Sequence, residues 1–408
     1  MTSQRTGPRP LPLHLMAAAM VSTSSSAALS LLKNGWTPWS ETLKKAGNAL
    51  QKDLANVDPD AFSAALTEEQ NRRHARFLDG LKKYRSHTFH RTLTAPPAIW
   101  QSGPIRLLDY GATSVKGPSE GRPVLVVPSL VNRSHIMDLT TDHSFLRYLA
   151  ENGFRPLLMD WGVPGPLELR KSLDDYIAAD LAAALDVAVD VAGGKPVPVI
   201  GYCMGGTLAV ALSMLEPESI AALLLLATPW DFHADNGGPP LGLAEARPGL
   251  EALISALGYL PVDALQAMFF SIDPLQSWKK FQAFADMPPN APEAETFIAL
   301  EDWLNDGVPL AAEVARVCLF EWFLENTPAQ HEWAVAGKAV DPARISCPTL
   351  GVLPAQDRLV PPASAQALIE AIPGAESLSP QDGHIGMMVG GKAKAQLWSP
   401  LTAWLHKH

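Results

Sequence analysis

From Pro104 onward the chain alternates short runs of consecutive apolar residues with longer stretches whose apolar positions recur every three or four residues. The short runs are Ile105 to Tyr110, Val124 to Val127, Arg155 to Met159, Val197 to Tyr202, Ala221 to Ala227, Thr349 to Leu353 and Glu376 to Leu378. Runs this short and this continuous predict strands buried on both faces, the pattern of a largely parallel sheet. The longer stretches predict helices. One starts near Ser172, where Ser172 and Asp175 have capping-box spacing, and carries Leu173, Ile177, Leu181, Leu185 and Ala188 on one face. Another, Thr207 to Leu215, is rich in Ala and Leu and ends before Pro217. The expected architecture is α/β, with a mostly parallel central sheet flanked by helices.

The alternation stops after Pro229 and resumes near Pro348. Between these prolines the pattern is helical, over Leu250 to Leu257, Val262 to Phe270, Ala294 to Trp303 and Ala311 to Leu324. Residues 1 to about 100 also read as helix and loop. Within them, Glu68 to Tyr84 sets Leu78 and Leu81 among Arg72, Arg73, Arg76, Lys82 and Lys83. That basic stretch is either a solvated helix face or a surface for an acidic partner. The expected organisation is an N-terminal helical region (1–103), a core made of 104–231 and 336–408, and a helical insertion at 232–335.

Composition narrows the function classes. Of the 408 residues, 47% are hydrophobic and 18% charged, so most of the chain should bury a core. A formal net charge of -10 argues against nucleic acid as the main partner. Cys203, Cys318 and Cys347 are odd in number and widely spaced, which fits neither a disulfide framework nor a zinc site and points to a reducing, cytoplasmic setting. The apolar run Leu11 to Val21, followed by the Ser/Ala-rich Ser22 to Ala28, imitates a secretory leader. Pro10, Pro12 and His14 interrupt it, so neither secretion nor a membrane span of ~18 apolar residues is expected.

The sharpest chemical signal is Val197-Pro-Val-Ile-Gly-Tyr-Cys-Met-Gly-Gly-Thr207, which places G-x-C-x-G-G between an apolar strand and a helix. A nucleophile on a tight strand-to-helix turn needs small residues two before and two after it, and Gly201 and Gly205 meet that need. Such a turn lifts Cys203 above the sheet at a helix N-terminus. There the helix dipole favours a thiolate, and the Met204 amide can stabilise an oxyanion. The competing reading is a buried structural cysteine with packing glycines, which suits Cys318 and Cys347 better.

In an α/β-hydrolase fold the partners follow in the order nucleophile, acid, histidine. Asp357 lies in Pro354-Ala-Gln-Asp-Arg-Leu-Val-Pro361, after the strand that resumes the alternation. His384 lies in Gln381-Asp-Gly-His-Ile-Gly386, after the last strand. Asp382 competes as the acid, but a neighbour two residues from the histidine normally points elsewhere. The second oxyanion amide is expected in Pro128 to Arg133, at Val131 with Leu130 next. His135, His143 and His233 could line the pocket. His87 and His90 lack further ligands, His406 and His408 are terminal, and no metal site is expected. The insertion falls between the sixth and seventh strands, where such folds carry a cap.

Together these segments resemble the polyhydroxyalkanoate (polyester) synthases, most closely the short class that works with a separate subunit. The resemblance is carried by Val126-Val-Pro-Ser-Leu-Val-Asn-Arg with Met137-Asp-Leu, by Met159-Asp-Trp-Gly-Val-Pro and by Ser172-Leu-Asp-Asp-Tyr-Ile. It continues through Gly201-Tyr-Cys-Met-Gly-Gly-Thr, Ala227-Thr-Pro-Trp-Asp-Phe, Asp357-Arg-Leu-Val-Pro-Pro-Ala-Ser and Gly383-His-Ile-Gly. It implies that Cys203 carries the growing acyl chain and that His384 activates the thiol. Asp357 would serve the incoming 3-hydroxyl, besides any role in orienting His384. The substrates implied are a 3-hydroxyacyl-CoA and the polyester, with CoA thioester as substrate and no cofactor. A homodimer, a second synthase subunit and a granule surface are the partners it suggests. Arg358 where many relatives have histidine, Trp230-Asp-Phe-His233, the first 100 residues and the cap all depart from the pattern.

A cysteine suits polymerisation. Exchange of a CoA thioester for an enzyme thioester keeps the acyl group activated, and attack by a hydroxyl is then downhill. The leading expectation is therefore a polyester synthase. The alternatives are a hydrolase with the same three residues (polyester depolymerase, esterase or thioesterase) and a non-catalytic granule-associated protein, against which intact Cys203, Asp357 and His384 argue.

Overall fold

The computed structural model describes residues 5–114, 121–234 and 237–408. They divide into two compact units, Met1–His90 with Gln266–Asn305 and Arg91–Leu265 with Asp306–His408.

The second unit is built on one eight-stranded sheet. Its strands are β1 (Ala98–Ser102), β2 (Ile105–Asp109), β3 (Arg122–Val127), β4 (Phe154–Asp160), β5 (Val197–Tyr202), β6 (Ile220–Leu226), β7 (Thr349–Val352) and β8 (Glu376–Leu378), in the order β1-β2-β4-β3-β5-β6-β7-β8. All neighbours from β4 to β8 are parallel, and β2 and β1 add antiparallel at one edge. Val124 to Val127, Val199, Ile200 and Leu223 to Leu226 are almost wholly buried, the burial that their continuous apolar runs predict. The seven expected strands are all present. The eighth, β1, pairs with β2 across a turn at Gly103, whose φ of 57° suits a glycine. Its residues Ala-Ile-Trp-Gln-Ser are mostly partly exposed, so it lacked the apolar run that marked the others.

Register decides where the chain can do chemistry. Val127 pairs with Gly201, Gly201 with Leu225, Leu225 with Gly351 and Gly351 with Ser377. This row runs across four parallel junctions, so the loops leaving β3, β5, β6, β7 and β8 all emerge at one edge of the sheet, where α/β folds place their sites. The capping box is also formed. Ser172 N donates to Asp175 Oδ2 at 2.8 Å and Asp175 N to Ser172 Oγ at 3.1 Å. The helix that follows begins as a wide π-helical turn at Asp175–Leu181 before becoming α-helical at Ala182–Val191.

Fully buried Asp138 pins the segment that follows the β3 loop. Arg147 Nε donates to its Oδ1 at 2.8 Å, Arg91 Nη2 to its Oδ2 at 2.9 Å and the Tyr110 hydroxyl to Oδ2 at 3.1 Å. Two guanidiniums and a phenol satisfy a carboxylate that burial would otherwise make very costly.

The first unit is helical: α1 (Leu11–Lys33), α2 (Glu41–Leu54) and α3 (Pro59–Ser86), with Gln276–Asp286 and Pro292–Asn305 from the insertion. Its core is Ala18, Phe77, Leu81, Tyr84, Trp278, Phe281, Phe284, Ala294 and Ile298. Gly80 has no side chain because a Cβ there would strike the Phe281 carbonyl. The expected boundaries at 103, 231 and 335 therefore differ from those of the structure. Residues 266–305 share a core with residues 1–90 because Trp278, Phe281 and Phe284 interleave with α3. The basic stretch on α3 is largely neutralised within this unit. Arg72 and Arg73 pair with Glu69, Arg76 pairs with Asp286, and Lys83 Nζ donates to the carbonyls of Phe284, Ala285 and Met287.

The first helix, α1, falls within the region expected to be helix and loop. By length and composition alone it is long and apolar enough to cross a membrane, and most of its surface is exposed. Pro12 lies in the first turn, where proline is tolerated, and the Thr23, Ser24 and Ser25 hydroxyls bond back to helix carbonyls. The helix thus runs unbroken from Leu11 to Lys33.

Replacing Asp138 by Ala should leave Arg91 and Arg147 facing one another without their shared anion. A loss of about 3 kcal/mol or more is expected in chemical unfolding followed by tryptophan fluorescence. A midpoint equal to that of the parent would contradict this account of the β3 loop.

Candidate active site

β5 runs straight into the helix α4 (Met204–Leu215), and Cys203 is the one residue between them. Its backbone sits at φ 56°, ψ -130°, a conformation costing an L-residue about 1–3 kcal/mol. Backbone bonds on both sides hold it there: Cys203 N donates to Leu226 O at 2.8 Å, and Gly206 N donates to Cys203 O at 2.9 Å. The three glycines around it answer to three different neighbours. A Cβ on Gly201 would overlap the Gly206 backbone, one on Gly205 the Val127 carbonyl, and one on Gly206 the Thr228 hydroxyl. The need for Gly201 and Gly205 follows from the tight turn. That for Gly206 comes from Thr228, just past the end of β6, and was not visible in the spacing.

Asp357 and His384 arrive from the loops after β7 and β8. His384 Nδ1 donates to Asp357 Oδ2 at 2.7 Å, and both residues are buried. Asp357 Oδ1 accepts from the amides of Leu359 and Val360, each at 2.9 Å. Both carboxylate oxygens are thus committed, which fixes the acid's orientation. With Nδ1 turned to Asp357, the other ring nitrogen is left for Cys203, which bears on the imidazole electrostatically. Burial opposes a charge on the imidazole. Attraction to Cys203 and the hydrogen bond to Asp357 outweigh it, and hold His384 well above the ordinary 6.5. Asp382, the competing acid, meets this loop only through its backbone, its carbonyl accepting from Gln356 N at 3.1 Å.

Met204 begins α4, at the end where helix amides lack intrahelical partners. The Val131 amide is already engaged, donating to Ser129 Oγ at 3.1 Å. The Val131 carbonyl accepts from Val308 N at 3.4 Å, and Asn132 bridges to Gly307. The loop expected to complete an oxyanion hole is therefore strapped by residues 307–308, and Val131 can offer its amide to a substrate only once Ser129 releases it. No spacing rule could have shown that competition.

The remaining candidates have other occupations. His143 Nδ1 hydrogen-bonds with Thr140 Oγ1 at 3.0 Å, and His233 Nε2 with the Phe323 carbonyl at 3.1 Å. Burial first, then Arg91 and Arg133, push His135 down to about 4. Burial, then Glu321, drives the Cys318 thiol up to about 12, and burial also raises Cys347. Neither thiol has the elbow's setting. Among the described residues no three His, Cys, Asp or Glu side chains gather as a metal site. A thiol on a strained elbow and an imidazole bonded to a buried carboxylate can together carry out nucleophilic acyl transfer.

Comparison with known proteins places the chain. The family model for the alpha/beta hydrolase fold matches residues 122–391. A poly(3-hydroxyalkanoate) polymerase subunit PhaC of Haloferax mediterranei is 31% identical over 76% of this chain and 63% of its own length. The protein of the same name from Synechocystis is 30% identical over 69% of this chain and 77% of its own, and that of Allochromatium vinosum 28% over 74% and 86%. The chain thus spans less than two thirds of the Haloferax relative but most of the other two.

The raised affinity of His384 for its proton has a definite sign. The folded protein holds that proton more tightly than the unfolded chain, so its contribution to stability is complete below pH ~6.5 and disappears as pH rises through the elevated folded value. In 13C-histidine NMR, the His384 ring should stay an imidazolium through neutral pH. Asp357→Asn and Cys203→Ala should each lower its titration midpoint. A midpoint at or below 6.5 in the parent protein would rule out the bonding described.

Proposed function

The chain belongs to the α/β-hydrolase fold family and to the family of the poly(3-hydroxyalkanoate) polymerase subunits, and from that premise we propose that it is a polyester synthase joining 3-hydroxyacyl-CoA units. The observation that carries this reading is a cysteine, rather than a serine, on a nucleophile elbow beside a buried histidine–carboxylate pair.

In the first half-reaction the proton of the Cys203 thiol is held on His384 and Sγ attacks the thioester carbonyl. The oxyanion forms against the Met204 amide, and the carbon–sulfur bond to CoA breaks. CoA leaves with the proton from His384. One thioester has replaced another, so the acyl group loses little of its activation. In the second half-reaction the 3-hydroxyl of an incoming hydroxyacyl-CoA attacks the Cys203 thioester. Its proton passes to the His384–Asp357 pair and returns to the departing Cys203 sulfur. The product is an oxygen ester still bearing a CoA thioester, ready to reload the cysteine. Forming the oxygen ester is the downhill step that drives elongation; a serine would have formed that ester at loading and lost the drive. Raised basicity of His384 suits it to take a thiol or hydroxyl proton at neutral pH.

Asp357 supports two roles in this scheme, orienting the imidazole and strengthening it as a base when the hydroxyl attacks. The free thiol favours a reducing compartment. We take the substrate to be a CoA thioester with no further cofactor. Purified chain assayed alone decides whether a second subunit or a granule surface is needed.

Incubation with 3-hydroxybutyryl-CoA should release CoA and deposit insoluble polymer. Cys203→Ala should lower CoA release by about a thousandfold or more. CoA release accompanied only by free 3-hydroxy acid would assign the site to hydrolysis instead.

A further inference from the structure

Tyr202 stands immediately before the nucleophile, and the chemistry above gives it no task. It is buried at the last position of β5, and its side chain reaches the histidine loop in two ways. The phenol donates to the backbone carbonyl of His384 at 3.2 Å. The Tyr202 and His384 rings also stack, with centroids 5.1 Å apart and planes 30° apart. These contacts act on different parts of the same residue, one on its backbone and one on its imidazole face.

We propose that Tyr202 is a positioning residue for acyl transfer: its hydroxyl fixes the height of the His384 loop against the elbow strand, and its ring supports the imidazolium face. Because Tyr202 and Cys203 are adjacent on a strained backbone, one side chain ties the base to the strand that carries the nucleophile. A ring face within about 6 Å of a cation attracts it, so the stack favours the charged form of His384. The charged groups that bear on this pair are Cys203 and Asp357. Burial, with the negative charge of both neighbours, keeps the phenol protonated and therefore a donor at any pH the enzyme meets. The residue between glycine and nucleophile thus has a second use besides filling the core: it keeps His384 from drifting as the imidazole gains and loses its proton in each half-reaction.

The inference rests on Cys203 and His384 working together but not on which acyl group they transfer, so two readouts keep the questions apart. Tyr202→Phe removes only the hydroxyl; Tyr202→Leu removes the ring face as well. For Tyr202→Phe, CoA release from 3-hydroxybutyryl-CoA should fall about tenfold in kcat with little change in KM, the loss set by one hydrogen bond. Its iodoacetamide labelling of Cys203 at neutral pH should fall in step, and its His384 titration midpoint should stay put. For Tyr202→Leu, labelling should fall further and the His384 midpoint should move down. Parent-like labelling in a folded Tyr202→Phe protein, or an unmoved midpoint in a folded Tyr202→Leu protein, overturns the proposal. If the Leu variant fails to fold, the Phe variant decides alone. Should the parent release no CoA, the synthase reading fails, while the labelling ratio still tests Tyr202.

Discussion

The rest of the site depends on how closely α4 approaches the sheet as it leaves Cys203. Three glycines let the first turn of that helix lie against the Val127 carbonyl, the Thr228 hydroxyl and the strand's own end. The cysteine can then hold a backbone conformation an L-residue otherwise avoids. Strain at one residue is offset by hydrogen bonds from β6 and from the helix itself. A Cβ at any of the three glycines would push the helix outward, moving the thiol away from His384.

Around that turn, electrostatics and register do complementary work. Register brings the ends of β5, β7 and β8 level, so three loops distant in sequence deliver a thiol, a carboxylate and an imidazole to one edge. The low-dielectric surroundings then make each pairing strong. Asp357 spends one oxygen on two amides and the other on His384, and His384 is pulled toward its charged form by groups on both sides. The same economy governs Asp138, whose bonds to Arg91, Arg147 and Tyr110 hold the chain that follows the β3 loop. That loop's backbone is already occupied, since Ser129 takes the Val131 amide while residues 307–308 bond the Val131 carbonyl and Asn132.

Parallel strands buried on both faces leave a short unbroken apolar run, and for that reason the inner strands β3, β4, β5, β6 and β7 could be read directly. β1 left no such trace because its residues are only partly covered. Cys203, Asp357 and His384 were legible as candidates for a related reason. A nucleophile on a tight turn demands glycine at fixed spacing, and the fold demands its partners in fixed order.

By itself, the sequence determined the α/β architecture, the strand positions and the identities of Cys203, Asp357 and His384 as the residues placed to meet, since local spacing and burial patterns are one-dimensional signals. Only the tertiary structure decided that Gly206 answers to Thr228 and that Tyr202 clasps the histidine loop. It also decided that residues 266–305 share a core with residues 1–90, and that the Val131 amide is held by Ser129. Each of these is a choice among groups far apart in the chain or equally near in it. What settles such a choice is which group reaches within hydrogen-bond or van der Waals distance once the sheet has set the register.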